Sequence, residues 1–240
     1  MVPIQAVLLD MGGVLLEMAN AAGLPQGKLD WRGREVLAQL LRRQGGHLGV
    51  EDLESLLFAP WRAVYARRYE TGREASWAPH LKSLRRATGC RLRDATLLGA
   101  WFQPYGEQLT PIVGALEAVR ELQQGGLHLG LVSNVALPGV LYERVLRRHG
   151  FLAALPVRQF SYDSGSRKPS PAMLRAALLA LGVDPAAAVM VGDRRGSDVA
   201  AGRAAGLRTI WLRSADGGGP RPDLEIDSMS ELPAVIGSRR

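Results

Sequence analysis

The chain has 240 residues, 47% of them hydrophobic, and a formal net charge of +7 at pH 7, with a sequence pI of about 10.2. That is enough chain to bury a full core as one domain or two, and no run of about 18 apolar residues offers a membrane span. The positive balance comes from arginine pairs such as Arg42-Arg43, Arg67-Arg68, Arg85-Arg86 and Arg147-Arg148 in separate segments, so it reads as solvated helix faces and not as the footprint of a nucleic acid.

The first residues, Met1-Val2-Pro3-Ile4-Gln5, lack a basic n-region, and no signal peptide is expected. The single cysteine, Cys90, cannot close an internal disulfide; a cytoplasmic location fits. Residues 4–10 read as a buried strand. From 17 to 108 the pattern changes to helical periodicities broken by Gly and Pro, with helices expected at 31–41, 51–58, 62–69, 81–88 and 92–102. Aromatic residues gather there, among them Trp31, Phe58, Trp61, Tyr65, Tyr69, Trp77, Trp101, Phe102 and Tyr105. They read as the core of a small bundle, with some available to line a pocket.

Strict alternation begins near residue 110. Thr110-Pro111 reads as a helix opening, with Thr as N-cap and Pro at the first position, and Gly125-Gly126 as its stop. Strand 127–133, helix 138–149, strand 156–161, helix 171–182, strand 187–192, helix 198–206 and strand 208–213 follow. Residues 216–220 read as a loop and 230–236 as a short last helix. The expected fold is α/β: a Rossmann-like parallel sheet core formed by 1–16 and 109–240, with a helical insertion at 17–108.

Three apolar runs end in a polar residue: Val7-Leu8-Leu9-Asp10, Leu131-Val132-Ser133-Asn134 and Val189-Met190-Val191-Gly192-Asp193. They read as buried parallel strands, and ligands of open α/β sheets bind where such strands end. Ser166-Arg167-Lys168-Pro169 and Asp198 complete the set. The chain has three lysines, Lys28, Lys82 and Lys168, which makes the one before Pro169 stand out. Carboxylates, a hydroxyl, an amide and an ammonium together can hold a phosphate and a divalent cation.

In order and spacing these stretches resemble motifs I to IV of the haloacid dehalogenase-like (HAD) hydrolases, and the insertion resembles that family's C1-type cap domain. The resemblance implies that Asp10 is a nucleophile forming an aspartyl-phosphate. Ser133 and Asn134 would donate to the phosphate, and Lys168 would neutralise both Asp10 and the transferred group. A cation must separate carboxylate from phosphate; Mg²⁺ suits that role, with Asp10 and Asp193 as its side-chain ligands. By resemblance the Gly12 carbonyl would be a third ligand, and Asp198 would orient Lys168 or a metal-bound water; its bland alternative is a helix cap.

One position departs from the family's phosphatases. Two residues after the nucleophile most of them carry a second Asp as general acid and base; here it is Gly12, as in some relatives of this pattern. The family's dehalogenases also lack that Asp, but they do not need the metal-binding Gly192-Asp193 either, so retention of Asp193 and Asp198 favours phosphoryl chemistry. The expected activity is a Mg²⁺-dependent phosphomonoesterase acting on a small phosphorylated metabolite, as a monomer or homodimer without membrane or nucleic-acid partners. The alternative is a binding or regulatory protein weakened in catalysis by Gly12.

Overall fold

The computed structural model describes residues 2–17, 26–215 and 218–237; Asp216 and Gly217 of the expected loop, and the start of the expected insertion, lie outside them. In chain order the strands are β1 (Ala6–Leu9), β2 (Leu16–Glu17), β3 (Thr110–Pro111), β4 (His128–Ser133), β5 (Val157–Phe160), β6 (Ala188–Gly192), β7 (Arg208–Leu212) and β8 (Leu224–Ile226). Six of them form a parallel sheet in the order β5-β4-β1-β6-β7-β8. Every residue of β1 and of β6 is buried, which is why both read as unbroken apolar runs.

Successive β1 side chains take opposite faces. Ala6 and Leu8 pack towards α10 (Ala172–Leu181) and α11 (Ala200–Ala205). Val7 and Leu9 share the larger core with α7 (Ala115–Gln124), α8 (Gly139–Arg148) and α12 (Leu232–Gly237). The chain builds outward from β1 through β4 to β5 and the short α9 (Ser161–Ser164), then returns to β1's other side with β6. The point where strand order reverses lies at the carboxyl end of β1, the position at which such sheets bind ligands.

The helical insertion holds α1 (Gln26–Arg43), α2 (Val50–Leu53), α3 (Ala59–Ala66), α4 (Arg68–Thr71), α5 (Ala78–Thr88) and α6 (Asp94–Gln108), with a π-helical turn, Glu54–Phe58, joining α2 to α3. α1 lies close along α6: a Cβ at Gly33 would come 2.2 Å from the Trp101 carbonyl oxygen, so only glycine permits that approach.

The expected helix opening at Thr110-Pro111 is corrected. These residues form β3, antiparallel to β2 with Leu16 opposite Pro111, and the helix starts only at Ala115 after Gly114 at φ 77°. Buried Leu15 and Leu16 draw the outgoing chain to the core, and the returning chain pairs with it, Ile112 donating to the Leu15 carbonyl at 3.0 Å. Pro111 lacks an N–H but a two-residue edge ribbon tolerates that. The sequence reading also missed β8, a three-residue edge strand.

Candidate active site

Asp10 follows β1, Ser133 closes β4 and Asp193 follows β6. Parallel pairing puts Leu9 level with both Leu131 and Val191, so the three polar residues emerge together at one sheet edge. Lys168 reaches the same point from the loop before α10. Its Nζ lies 3.0 Å from Asp10 Oδ1 and 2.6 Å from Asp198 Oδ1, and donates to the Val132 carbonyl at 2.7 Å. Lys168 is 2% exposed and Asp198 0%.

The carboxylates are held rigidly. Asp10 Oδ1 also accepts the Met11 N–H at 2.7 Å, which fixes the rotation of the side chain. Asp198 Oδ2 accepts the Arg194 N–H at 2.9 Å; the residue sits inside the π-helical turn Arg195–Val199, whose N-cap is Arg194, so the helix-cap alternative is corrected and its other oxygen is free to pair with Lys168. The Asp193 carbonyl accepts Trp211 Nε1 at 2.8 Å and Ser214 Oγ at 2.7 Å, fixing the loop after β6. The turn carrying Gly12 packs beside Asp193: a Cβ at Gly13, where φ is 74°, would sit 2.3 Å from Asp193 Oδ2.

Asn134 takes a different place from the expected phosphate donor. Both ends of its amide engage the main chain of Lys168. The physical reason is proximity: the loop after β4 and the loop before α10 run side by side, and an amide is the group that can satisfy a backbone N–H and a C=O at once.

Charge explains what the cluster lacks. One oxygen from each of Asp10, Asp193 and Asp198 lies within 4.8 Å of the others. Three carboxylates against one ammonium leave a deficit of two charges. Burial, then the neighbouring Asp10 and Asp198, push Asp193 up to about 7, and its Oδ1 is buried without a hydrogen-bond partner. Burial lowers Lys168, but Asp10 and Asp198 outweigh it and hold the ammonium above its usual range. An all-oxygen donor set with an orphaned carboxylate oxygen fits a hard divalent cation.

A family model for haloacid dehalogenase-like hydrolases matches residues 4–206. The chain belongs to that family.

Among relatives of this HAD-like hydrolase, the phosphoserine phosphatase of Thermus thermophilus is 32% identical over 200 residues, 73% of this chain and 77% of that protein. Pyrophosphatase PpaX of Bacillus pumilus is 34% identical over 128 residues, 51% of this chain and 58% of the relative. A solved HAD phosphatase from Thermococcus onnurineus shares the fold, with TM-score 0.64 at 23% identity over 99% of this chain and 100% of that one. These relatives place the chain among the family's phosphatases, which hydrolyse phosphoesters. No described helix is long and apolar enough to cross a membrane.

Sequence reasoning gave no role to Arg167 and did not mention Glu74. Arg167, beside Lys168, pairs with Glu74 of the insertion at 2.9 Å, with side-chain exposures of 6% and 3%. Ser161 Oγ donates to the same Glu74 oxygen at 2.7 Å. A backbone bridge, Arg73 to Ser166, and Trp77 Nε1 donating to the Ala136 carbonyl at 2.8 Å complete this latch between the insertion and the site's loops. No local signal links residues so far apart in sequence; an arginine inside the Ser166–Pro169 stretch was the one cue.

Proposed function

We propose that the protein is a Mg²⁺-dependent phosphomonoesterase that works through an aspartyl-phosphate on Asp10 and acts on a small phosphorylated metabolite. The observation that carries this reading is the buried ammonium of Lys168, set between Asp10 and Asp198 at the sheet's reversal point.

Asp10 supplies the carboxylate oxygen that attacks phosphorus, held in line by Met11 and Lys168. Lys168 offsets the charge of both the nucleophile and the phosphoryl group, where a low-dielectric site makes a fixed charge most effective. Ser133 donates its hydroxyl to a phosphoryl oxygen. Asp198 keeps Lys168 aimed, and Asn134 seats the Lys168 main chain. Asp10 and Asp193, with the Gly12 carbonyl, would hold Mg²⁺. When bound, that ion supplies the positive charge needed to bring a carboxylate and a phosphate together. The insertion acts as the cap over the leaving group, latched through Glu74. Gly12 offers no proton, so the leaving oxygen departs without a side-chain acid.

The test is phosphate release from a panel of phosphomonoesters, with Mg²⁺ and with chelator, by the wild type and by Asp10→Asn. Release that needs both Mg²⁺ and Asp10 is expected. Equal release by a folded Asp10→Asn protein would remove Asp10 from the reaction.

A further inference from the structure

A cavity of about 680 Å³ lies between the insertion and the core. Its far side is α1, α3 and α6; its near side is the loop Asn134–Leu137 directly after Ser133. It therefore opens on the same loop that carries the phosphate site, where the alcohol part of an ester would project. A volume of this size suits a ligand of one or two rings.

The lining is aromatic. Trp61, Tyr65, Trp101, Phe102, Tyr105 and Tyr142 all face it. Trp61 stacks between Trp77 and Tyr65, with ring centroids at 4.0 and 4.6 Å. Burial pushes Tyr105 up to about 12 and Tyr142 well upward too, so both hydroxyls stay neutral. The two charged residues of the wall are already engaged. Asp30 accepts Trp101 Nε1 at 2.9 Å and Arg34 at 2.8 Å, while Arg62 pairs with Glu54. A phosphorylated amino acid would need a partner for its ammonium and another for its carboxylate, and this wall spends both of its charges on itself. Trp61 is 5% exposed, and its Nε1 is buried without a hydrogen-bond partner among the described residues.

Gly12 bears on the same question independently. A phenol has a pKa near 10, as tyrosine does, so a phenoxide leaves phosphorus readily without a proton donor. An alkoxide, derived from an acid about as weak as water at roughly 15.7, does not.

Resting on the phosphatase reading, we propose that the substrate is the phosphate monoester of an uncharged aromatic alcohol of phenol type, its ring seated in this cavity and an acceptor atom of the ring system bonded to Trp61 Nε1. In the first step an Asp10 carboxylate oxygen forms a bond to phosphorus. The ester P–O bond breaks, and its electron pair leaves on the aryl oxygen, which takes a proton from solvent. In the second, water attacks the phosphorus, the Asp10 O–P bond breaks, and inorganic phosphate and the Asp10 carboxylate are regenerated, the water's proton passing to solvent.

The experiment has a catalytic arm and a binding arm. The first compares kcat/KM for 2-naphthyl phosphate, O-phosphoserine and glycerol 3-phosphate with the Mg²⁺-loaded wild type. The second titrates 2-naphthol and glycerol by calorimetry into the wild type and Trp61→Phe, which keeps a ring and removes the donor. A naphthyl preference of at least about 100-fold is expected, with 2-naphthol bound and glycerol not, and about five-fold weaker 2-naphthol binding in Trp61→Phe, the scale of one neutral hydrogen bond. Preference for phosphoserine or glycerol 3-phosphate, or no binding of 2-naphthol to the wild type, overturns the proposal and leaves the phosphatase reading standing. Binding of 2-naphthol with no phosphate released from any ester overturns the phosphatase reading instead, and the substrate assignment with it. Unchanged affinity in Trp61→Phe removes the indole contact.

Discussion

Asn134 grips Lys168 by its main chain: the Lys168 N–H donates to Asn134 Oδ1 at 2.8 Å, and Asn134 Nδ2 donates to the Lys168 carbonyl at 2.9 Å. One side chain thus ties the loop after β4 to the loop that delivers the Lys168 ammonium. Asn134→Ala leaves both backbone groups unpaired, at a cost of about 1–3 kcal/mol each where water cannot replace the amide. The expected outcome is a lower denaturation midpoint together with a kcat loss of at least about ten-fold, the price of a misplaced charge. A phosphate donor alone would predict the opposite split, a raised KM with unchanged stability.

Lys168→Met strips the ammonium from between Asp10 and Asp198. Breaking a buried pair by removing one partner costs about 3–5 kcal/mol. Urea unfolding near pH 8 should show that loss. It should shrink as pH falls, because the stranded carboxylates can then take up protons. Stability equal to wild type at both pH values would place Lys168 outside the ion cluster.

Asp193 predicts how stability and metal binding depend on pH. Its folded value of about 7 lies above the 3.8 of an ordinary Asp. Between those values the folded protein holds a proton that the unfolded chain has lost. Metal-free stability therefore falls as pH rises through that window, and the loss is complete above pH 7. Mg²⁺ competes with that proton, so its stabilisation should be small near pH 5 and large near pH 8. Asp193→Asn should flatten the metal-free profile and abolish the response to Mg²⁺. Thermal melts at both pH values, with and without the ion, decide the matter.

Gly12→Asp restores a carboxyl where the family's phosphatases carry one. The left-handed φ in this turn belongs to Gly13, and position 12 lies in an isolated bridge with Leu16. General acid help is worth about 10² to 10⁴-fold, and alkyl esters need it most. The expected result is a rise in kcat/KM for alkyl over aryl phosphates by at least about ten-fold. An unchanged ratio in a variant that still binds Mg²⁺ means that another group already delivers the proton.

Glu74→Gln keeps the shape of the latch and removes its charge, leaving Arg167 buried at 5% exposure. The expected outcome is a stability loss of about 3–5 kcal/mol, read by urea unfolding, and rapid proteolysis within the insertion. Restored stability in Glu74→Gln combined with Arg167→Met would identify the ion pair itself as the cause.

The strands and their polar ends were legible because a buried parallel strand has one sequence solution, an apolar run, and the residue after it is where polarity must return. Asp10, Ser133 and Asp193 could therefore be placed without coordinates. Thr110-Pro111 misled because the chemistry that caps a helix also suits a short edge ribbon; pairing with Leu16 decided it. The strand at Leu224–Ile226 was too short, with Glu225 in its middle, to show a period. The bond of Asn134 to the Lys168 main chain and the role of Glu74 were not legible, since a contact across 93 residues leaves no local trace. The aromatic cluster was visible as composition, whereas the cavity inside it needed three helices in place.

The ribbon of β2 and β3 sets the insertion's entry and exit side by side. A lineage can therefore splice a different helical layer into this point without rewiring the sheet, inheriting the reaction while changing what it is applied to. Any such transplant must bring its own carboxylate for Arg167. Lys168 and the arginine beside it divide the inheritance between them, one answering to the carboxylates of the sheet edge and the other to whichever insert currently rides on top.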